Sequence, residues 1–221
     1  MTLRNSKTFF VVFLLYALAG FGVIMGASPI ADAKASSWSE QKKQDFVNHM
    51  AQDAISIMHD QQHPFAARKK TLENTFSSVV DVDFIARFVV GKSWNNATDA
   101  QRERYVTLYC RYLIKSYISN YSEDPQKRIH DIKVNYIGET VNEKYNVRTQ
   151  MQMANGQTIK VDYVVSDKDE RYHVIDIIIE GVSLLSSHRN QFGDIALHKG
   201  MDAVIAKLEQ LNGQPTYAAA E

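Results

Sequence analysis

Between Asp131 and Glu180 the chain carries four stretches of strand length, Ile132 to Val141, Tyr145 to Ala154, Gln157 to Ser166 and Arg171 to Glu180, with only a few residues between them. Asn155-Gly156 favours a type I′ hairpin, and Asp167-Lys168-Asp169-Glu170 makes the next turn. Strands joined in this way pair antiparallel with their neighbours, as a meander. Alternation then assigns the faces. Val147, Thr149, Met151 and Met153 share one side of the second strand against Arg148, Gln150 and Gln152, and Ile159, Val161, Tyr163 and Val165 oppose Lys160 and Asp162 in the third. In the fourth, strict alternation puts Val174, Asp176 and Ile178 on one face and His173, Ile175, Ile177 and Ile179 on the other.

The chain before this region reads as helical. A first helix over Glu40 to Asp60 sets Phe46, Met50, Ile57 and Met58 on one face, with Lys42, Lys43 and Asp53 elsewhere, and Pro64 forces a break. A second helix holds Leu72 and Phe76 in register. A third, started by Asp81 or Asp83, carries Ile85, Phe88 and Val89 and ends at Gly91. Thr98 to Gln101 has the capping-box pattern, after which Tyr105, Leu108, Tyr112 and Tyr117 recur at helical spacing. Beyond the strands, Gly181 permits a sharp exit, Ser183 caps one further helix, and a last one from about Gly200 turns Val204, Ile205, Leu208 and Leu211 inward. Helices, then strands, then helices is an α+β order, and residues 36–212 contain no linker or repeat, so they form one domain with a flexible tail over 213–221.

Residues 1–35 have the features of a secretory signal peptide. Arg4 and Lys7 precede an uncharged run from Thr8 to Gly26, and small-residue cleavage patterns place the cut after Ala33 or Ala35. An uncleaved anchor is the other reading of that run, because ~20 apolar residues can cross a bilayer. Removing 1–35 takes away Arg4, Lys7, Lys34 and Asp32 and changes the formal charge from +0 to about −2. With Arg68-Lys69-Lys70 the only tight basic run, nucleic acid is excluded as a partner. Cys110 is the only cysteine, sits in an apolar-periodic helix, and is expected as a small core residue.

Catalytic and metal signatures are missing. There is no G-x-S-x-G elbow, P-loop, H-E-x-x-H or C-x-x-C, and Pro64 ends the helix that would carry His59 and His63 as a metal pair, so no metal site is expected. Asp176 stands alone inside V-I-D-I-I-I, and two roles fit it: a hydrogen-bonded structural carboxylate, or a general base acting on a small apolar substrate. His188 and Arg189, beside Ser186 and Ser187, could touch a lipid head group or form a solvated helix face. Aromatic and methionine side chains are frequent at inward positions, which suits either a packed core or a slot for acyl chains.

Three blocks resemble the MlaC/toluene-tolerance family of periplasmic phospholipid-binding auxiliary proteins of ABC transporters. They are Asp81 to Trp94, Ala97 to Tyr105 continuing to Tyr117, and Asp176 with Glu180-Gly181-Val182-Ser183 followed by Arg189 to Phe192. The likeness covers about residues 42 to 212; Val90 replaces the family's usual Leu before the glycine. It implies a twisted antiparallel four-stranded sheet covered by helices, of the nuclear-transport-factor-2-like kind, enclosing an apolar cavity. No cofactor and no catalytic residue are implied, only phospholipid as cargo. Combined with alternation and helical phase, it assigns to the lipid pocket Phe76, Ile85, Phe88, Val89, Tyr105, Leu108, Tyr112 and Tyr117 from the helices. From the sheet and its exit it assigns Val147, Met151, Val161, Tyr163, Ile177, Ile179 and Val182. The implied partners are an inner-membrane substrate-binding and permease complex and an outer-membrane lipoprotein–porin complex, between which the carrier would shuttle phospholipid in a Gram-negative periplasm, maintaining outer-membrane lipid asymmetry. A related branch accompanies hopanoid biosynthesis, which leaves the lipid class open.

Overall fold

The computed structural model describes residues 38–118, 129–139, 144–168 and 171–213, so the expected leader and the tail beyond Gly213 lie outside the described residues. Helix α1 (Trp38–His59) is followed after Pro64 by α2 (Phe65–Val79). Val80 then becomes extended and forms a parallel bridge with Val174, and the Asp81 N–H donates to the Val174 carbonyl at 3.1 Å. The Asp81 carboxylate accepts from the Phe84 N–H at 2.9 Å, which makes it, rather than Asp83, the cap of α3 (Val82–Val90). Gly91, at φ 56, ends that helix in a conformation that L side chains rarely adopt.

After the single turn α4 (Ser93–Asn96), α5 (Asp99–Leu113) opens with both halves of the expected capping box. The Gln101 N–H donates to Thr98 Oγ1 at 3.2 Å, and the Thr98 N–H donates to Gln101 Oε1 at 3.0 Å. Tyr105, Tyr109 and Tyr112 face inward from α5; Tyr109 is fully buried, whereas Leu108, expected there, is only partly covered. The helix then widens into a π turn over Ile114–Ile118, which shifts the helical phase of Tyr117 relative to α5.

The sheet runs β1 (Ile129–Glu139), β2 (Lys144–Met153), β3 (Thr158–Lys168), β4 (Arg171–Ile179) and a two-residue β5 (Val182–Ser183), each antiparallel to the next. The meander is as expected, but the type I′ geometry expected at Asn155-Gly156 is found at the exit from β4 instead. At Asn155-Gly156 only Gly156 has positive φ (86), and Met153 both accepts from Gly156 and donates to Gln157, so Ala154-Asn155-Gly156 is a three-residue loop with a glycine bulge. Both central residues with positive φ occur instead at Glu180 (48) and Gly181 (84), so the chain turns back as a tight hairpin and adds β5. The Glu180 carboxylate accepts from the Lys160 N–H at 2.6 Å and holds that non-glycine residue in place.

A second correction concerns β4. The register passes from Val164↔Asp176 to Val165↔Val174, leaving Ile175 as a bulge. Val174 therefore shares a face with Ile177 and Ile179, while His173, Asp176 and Ile178 share the other. The apolar face of the sheet is Val147, Val161, Tyr163, Val165 and Val174, and α1 lies against it through Phe46, Val47 and Met50. Lys43, expected on the polar side of α1, is only 1% exposed. It lies one turn before Val47 on the same stripe, and its ammonium sits 3.0 Å from the centre of the Tyr145 ring and 5.8 Å from that of Tyr172.

The chain closes with α6 (Leu184–His188), a π turn (Arg189–Gly193), α7 (Asp194–Lys199) and α8 (Met201–Gly213). Ser183 caps α6 as expected, accepting from the Ser186 N–H at 2.9 Å. Val204, Ile205 and Leu208 of α8 are buried against a helical cluster that also contains Ile85, Val89, Tyr105, Tyr109 and Phe192. Lys115 donates to the Leu211 and Asn212 carbonyls at 2.9 and 2.8 Å and so caps the last turn of α8.

The tightest joint in this cluster is at Gly193, where an added Cβ would lie 2.7 Å from the Val89 carbonyl oxygen, a backbone atom. Gly193→Ala should therefore cost about 1–3 kcal/mol and lower Tm by several degrees, whereas Gly213→Ala, with nothing within 4 Å of its Cβ, should leave Tm unchanged. Equal melting curves for the two variants would contradict this packing.

Candidate functional site

At the junction of β4 and α6 the bulge aims Asp176 at the end of the helix. Its carboxylate accepts from the Ile177 N–H at 2.8 Å, the Leu185 N–H at 2.9 Å and the Ser183 hydroxyl at 2.6 Å. Two of these donors belong to the start of α6, so Asp176 and Ser183 together satisfy backbone groups that a helix start leaves open. This is the structural one of its two expected roles. With both oxygens already accepting, the carboxylate is not poised as a free base.

His188 and Arg189 separate. His188 is 1% exposed, enclosed in the helical cluster, and not on a solvated face. Its Nδ1 lies 2.7 Å from the Tyr109 hydroxyl and its Nε2 2.9 Å from that of Tyr117, and the rings of Tyr112 and Phe192 pack around it. A neutral imidazole has one donor and one acceptor, so one tyrosine donates to it and the other accepts. Burial raises the pKa of both phenols and pulls that of His188 down to about 4. Arg189 is exposed and joins the π turn after α6 to the end of α3: its guanidinium lies 4.7 Å from the centre of the Phe88 ring, donates to the Phe88 carbonyl, and passes beside Gly91. Tyr105 donates to the Ala86 carbonyl at 3.1 Å, so all three sequence blocks meet in one joint.

The residues named for a pocket fall into two apolar groups, with Val80 packed against both. Ile85, Val89, Tyr105 and Tyr112, with partly covered Phe76, Leu108 and Tyr117, belong to the helical cluster. Val147, Val161 and Tyr163, with partly covered Met151, Ile177 and Ile179, belong to the sheet cluster. Phe88 is 36% exposed and Val182 39%. The register sets Met151 beside Ile159, Val161 beside Ile179 and Ile179 beside Val182. Around the buried Val161, the side chains of Met151, Ile159, Ile177, Ile179 and Val182 make an apolar strip at one end of the sheet that is only partly covered. Ile159, part of this strip, is absent from the sequence-derived set, although its alternation with Val161 already placed it there.

A separate open cleft of about 1110 Å³ lies between α2, the Val80 to Asp83 connection, α5 and the start of β4. None of the residues named from the sequence for the lipid pocket lines it. Cys110 does, half-buried rather than packed in the core as expected, because the cleft opens the side of α5 that carries it. Among the described residues no group of three His, Cys, Asp or Glu side chains is placed to hold a metal ion.

Residues 48–210 match a protein family described as MlaC protein. The intermembrane phospholipid transport system binding protein MlaC of Haemophilus influenzae is 21% identical over 218 residues, spanning 97% of this chain and 98% of the relative. The solved structure of a phospholipid-binding protein from Ralstonia solanacearum, in complex with a phospholipid, superposes with a TM-score of 0.65. It is 22% identical and the match covers 77% of this chain and 97% of that one, so the likeness is one of fold.

The enclosed imidazole makes stability depend on pH. Below its ordinary pKa of 6.5 the unfolded chain binds a proton at His188 that the folded protein refuses until about pH 4. Stability from this group is thus complete above pH 6.5 and is lost as pH falls towards 4, by up to about 3 kcal/mol. Urea unfolding across that window should show the loss in the natural protein and a shallower slope in His188→Gln. Parallel slopes would show that His188 is not the group responsible.

Proposed function

The chain belongs to the MlaC protein family, and from that premise we propose that it is a periplasmic carrier without enzymatic activity, which holds phospholipid on its apolar sheet face. The observation that carries this reading is the half-covered strip of Met151, Ile159, Ile177, Ile179 and Val182. Acyl chains laid on that strip would complete the burial that α1 provides at the other end of the face. Each CH2 taken out of water contributes ~0.8 kcal/mol, so two chains bind firmly in a soluble carrier and release needs a partner that opens the site. The related intermembrane phospholipid transport protein and the phospholipid-bound neighbour support phospholipid as the cargo.

In this reading the protein receives and delivers lipid between an outer-membrane lipoprotein–porin complex and an inner-membrane substrate-binding and permease complex, and contributes to outer-membrane lipid asymmetry. Export by the N-terminal leader places it in the periplasm. A hopanoid-type lipid remains the alternative cargo. The proton-transfer alternative gains no support from Asp176, whose oxygens already accept three hydrogen bonds.

Native mass spectrometry of protein purified from periplasm tests the reading and identifies the lipid class. We expect bound phospholipid in the natural chain, and in Ile179→Asp an occupancy at least about tenfold lower with little change in Tm, since a carboxylate is poorly tolerated beside acyl chains but well tolerated at a half-open position. A chain that leaves the periplasm empty and takes up none from phospholipid vesicles would sink the proposal.

A further inference from the structure

The cleft beside α5 has a composition unlike that of the sheet strip. Its floor is apolar, from Val80, Val82, Val106 and Ile114, and its rim is charged. Several of the rim groups are already engaged: Asp81 caps α3, Glu73 lies 3.8 Å from Lys70, and Lys115 caps α8. The rim groups left over are the guanidiniums of Arg111 and Arg171, both exposed, and the carboxylate of Asp83. His173 adds an imidazole whose Nδ1 is buried without a hydrogen-bond partner, at a wall of the same cleft. A buried polar atom left unpaired costs free energy that a ligand able to reach it would recover.

We propose that this cleft is a second ligand site, separate from the sheet strip, for a single-chain amphiphile whose phosphate head is held by Arg111, Arg171 and His173 and whose apolar stem lies on the valine and isoleucine floor. The planar guanidinium forks of Arg111 and Arg171 match phosphate oxygens, and the unpaired His173 Nδ1 adds a polar contact beside them. The apolar floor distinguishes such an amphiphile from a soluble phosphate ester. Cys110, the single cysteine of the chain, lines the same cleft and reports on whether it is filled.

The test is the rate at which a maleimide alkylates Cys110 in the mature protein, at alkaline pH because burial raises the thiol pKa. The probes are lauroyl lysophosphatidylglycerol, glycerol 3-phosphate and monolauroylglycerol, each below its micelle-forming concentration. The lysolipid should slow alkylation about tenfold at saturation, and the double variant Arg111→Ala/Arg171→Ala, with unchanged Tm, should need about a hundredfold more of it. Equal protection by glycerol 3-phosphate would overturn the amphiphile, and equal protection by monolauroylglycerol would overturn recognition of the phosphate. Unchanged alkylation with the lysolipid, or undiminished protection in the double variant, would overturn the site altogether. Protection should persist in Ile179→Asp, which separates this site from the phospholipid reading of the sheet; its loss there would show that the two sites are one.

Discussion

The bulge at Ile175 is the constraint on which the rest of the architecture depends. One extra residue in β4 turns Val174 to the same face as Ile177 and Ile179, so the strand contributes apolar side chains to the sheet face along its whole length. The same shift leaves Asp176 pointing away from that face, where its carboxylate meets the Leu185 N–H and the Ser183 hydroxyl at the start of α6. Sheet and terminal helices are therefore joined by a charge-assisted cap, and the π turn after α6 sets Gly193 against Val89 and Phe192 among the tyrosines of α5. Without the bulge, either the apolar face would be interrupted or the cap would be lost.

Much of this was legible in the sequence because local signals there are strong. Asp81, Thr98 with Gln101, Ser183 and Gly91 each mark a helix end by a specific hydrogen bond or a positive φ, and all four act where expected. The features that were not legible depend on phase and on distant partners. A bulge leaves no compositional mark beside Val174, Ile177, Ile178 and Ile179, all β-branched, so strict alternation misassigned Val174. Lys43 reads as solvent-facing until Tyr145 and Tyr172, a hundred positions or more away in the chain, supply the aromatic faces that its ammonium meets. His188 reads as polar surface for a similar reason: its two hydrogen-bond partners come from α5 and from the π turn at that helix's end. The hairpin at Glu180-Gly181 was concealed by a glutamate in a conformation usually left to glycine, asparagine or aspartate.

The residues that resemble a family motif are thus mainly the ones that assemble the scaffold. Arg189 and Gly91 fasten α3 to the terminal helices, Tyr105 fastens α3 to α5, and Asp176 fastens the terminal helices to the sheet. A carrier needs this division of labour, since it must present a half-covered apolar surface without collapsing onto it. In the proposed reading the helical joint is the scaffold, and the surface offered to lipid is the partly covered end of the sheet at Met151, Ile159 and Ile179.

Whether this end of the sheet holds the acyl chains is tested most directly by photo-crosslinking with a phospholipid that bears a diazirine near the end of one chain, followed by peptide mapping. Labels concentrated on Met151, Ile159 and the segment from Ile177 to Val182 are the predicted result. Labelling confined to the helical cluster or to the cleft beside α5, with the sheet end unmarked, would contradict it.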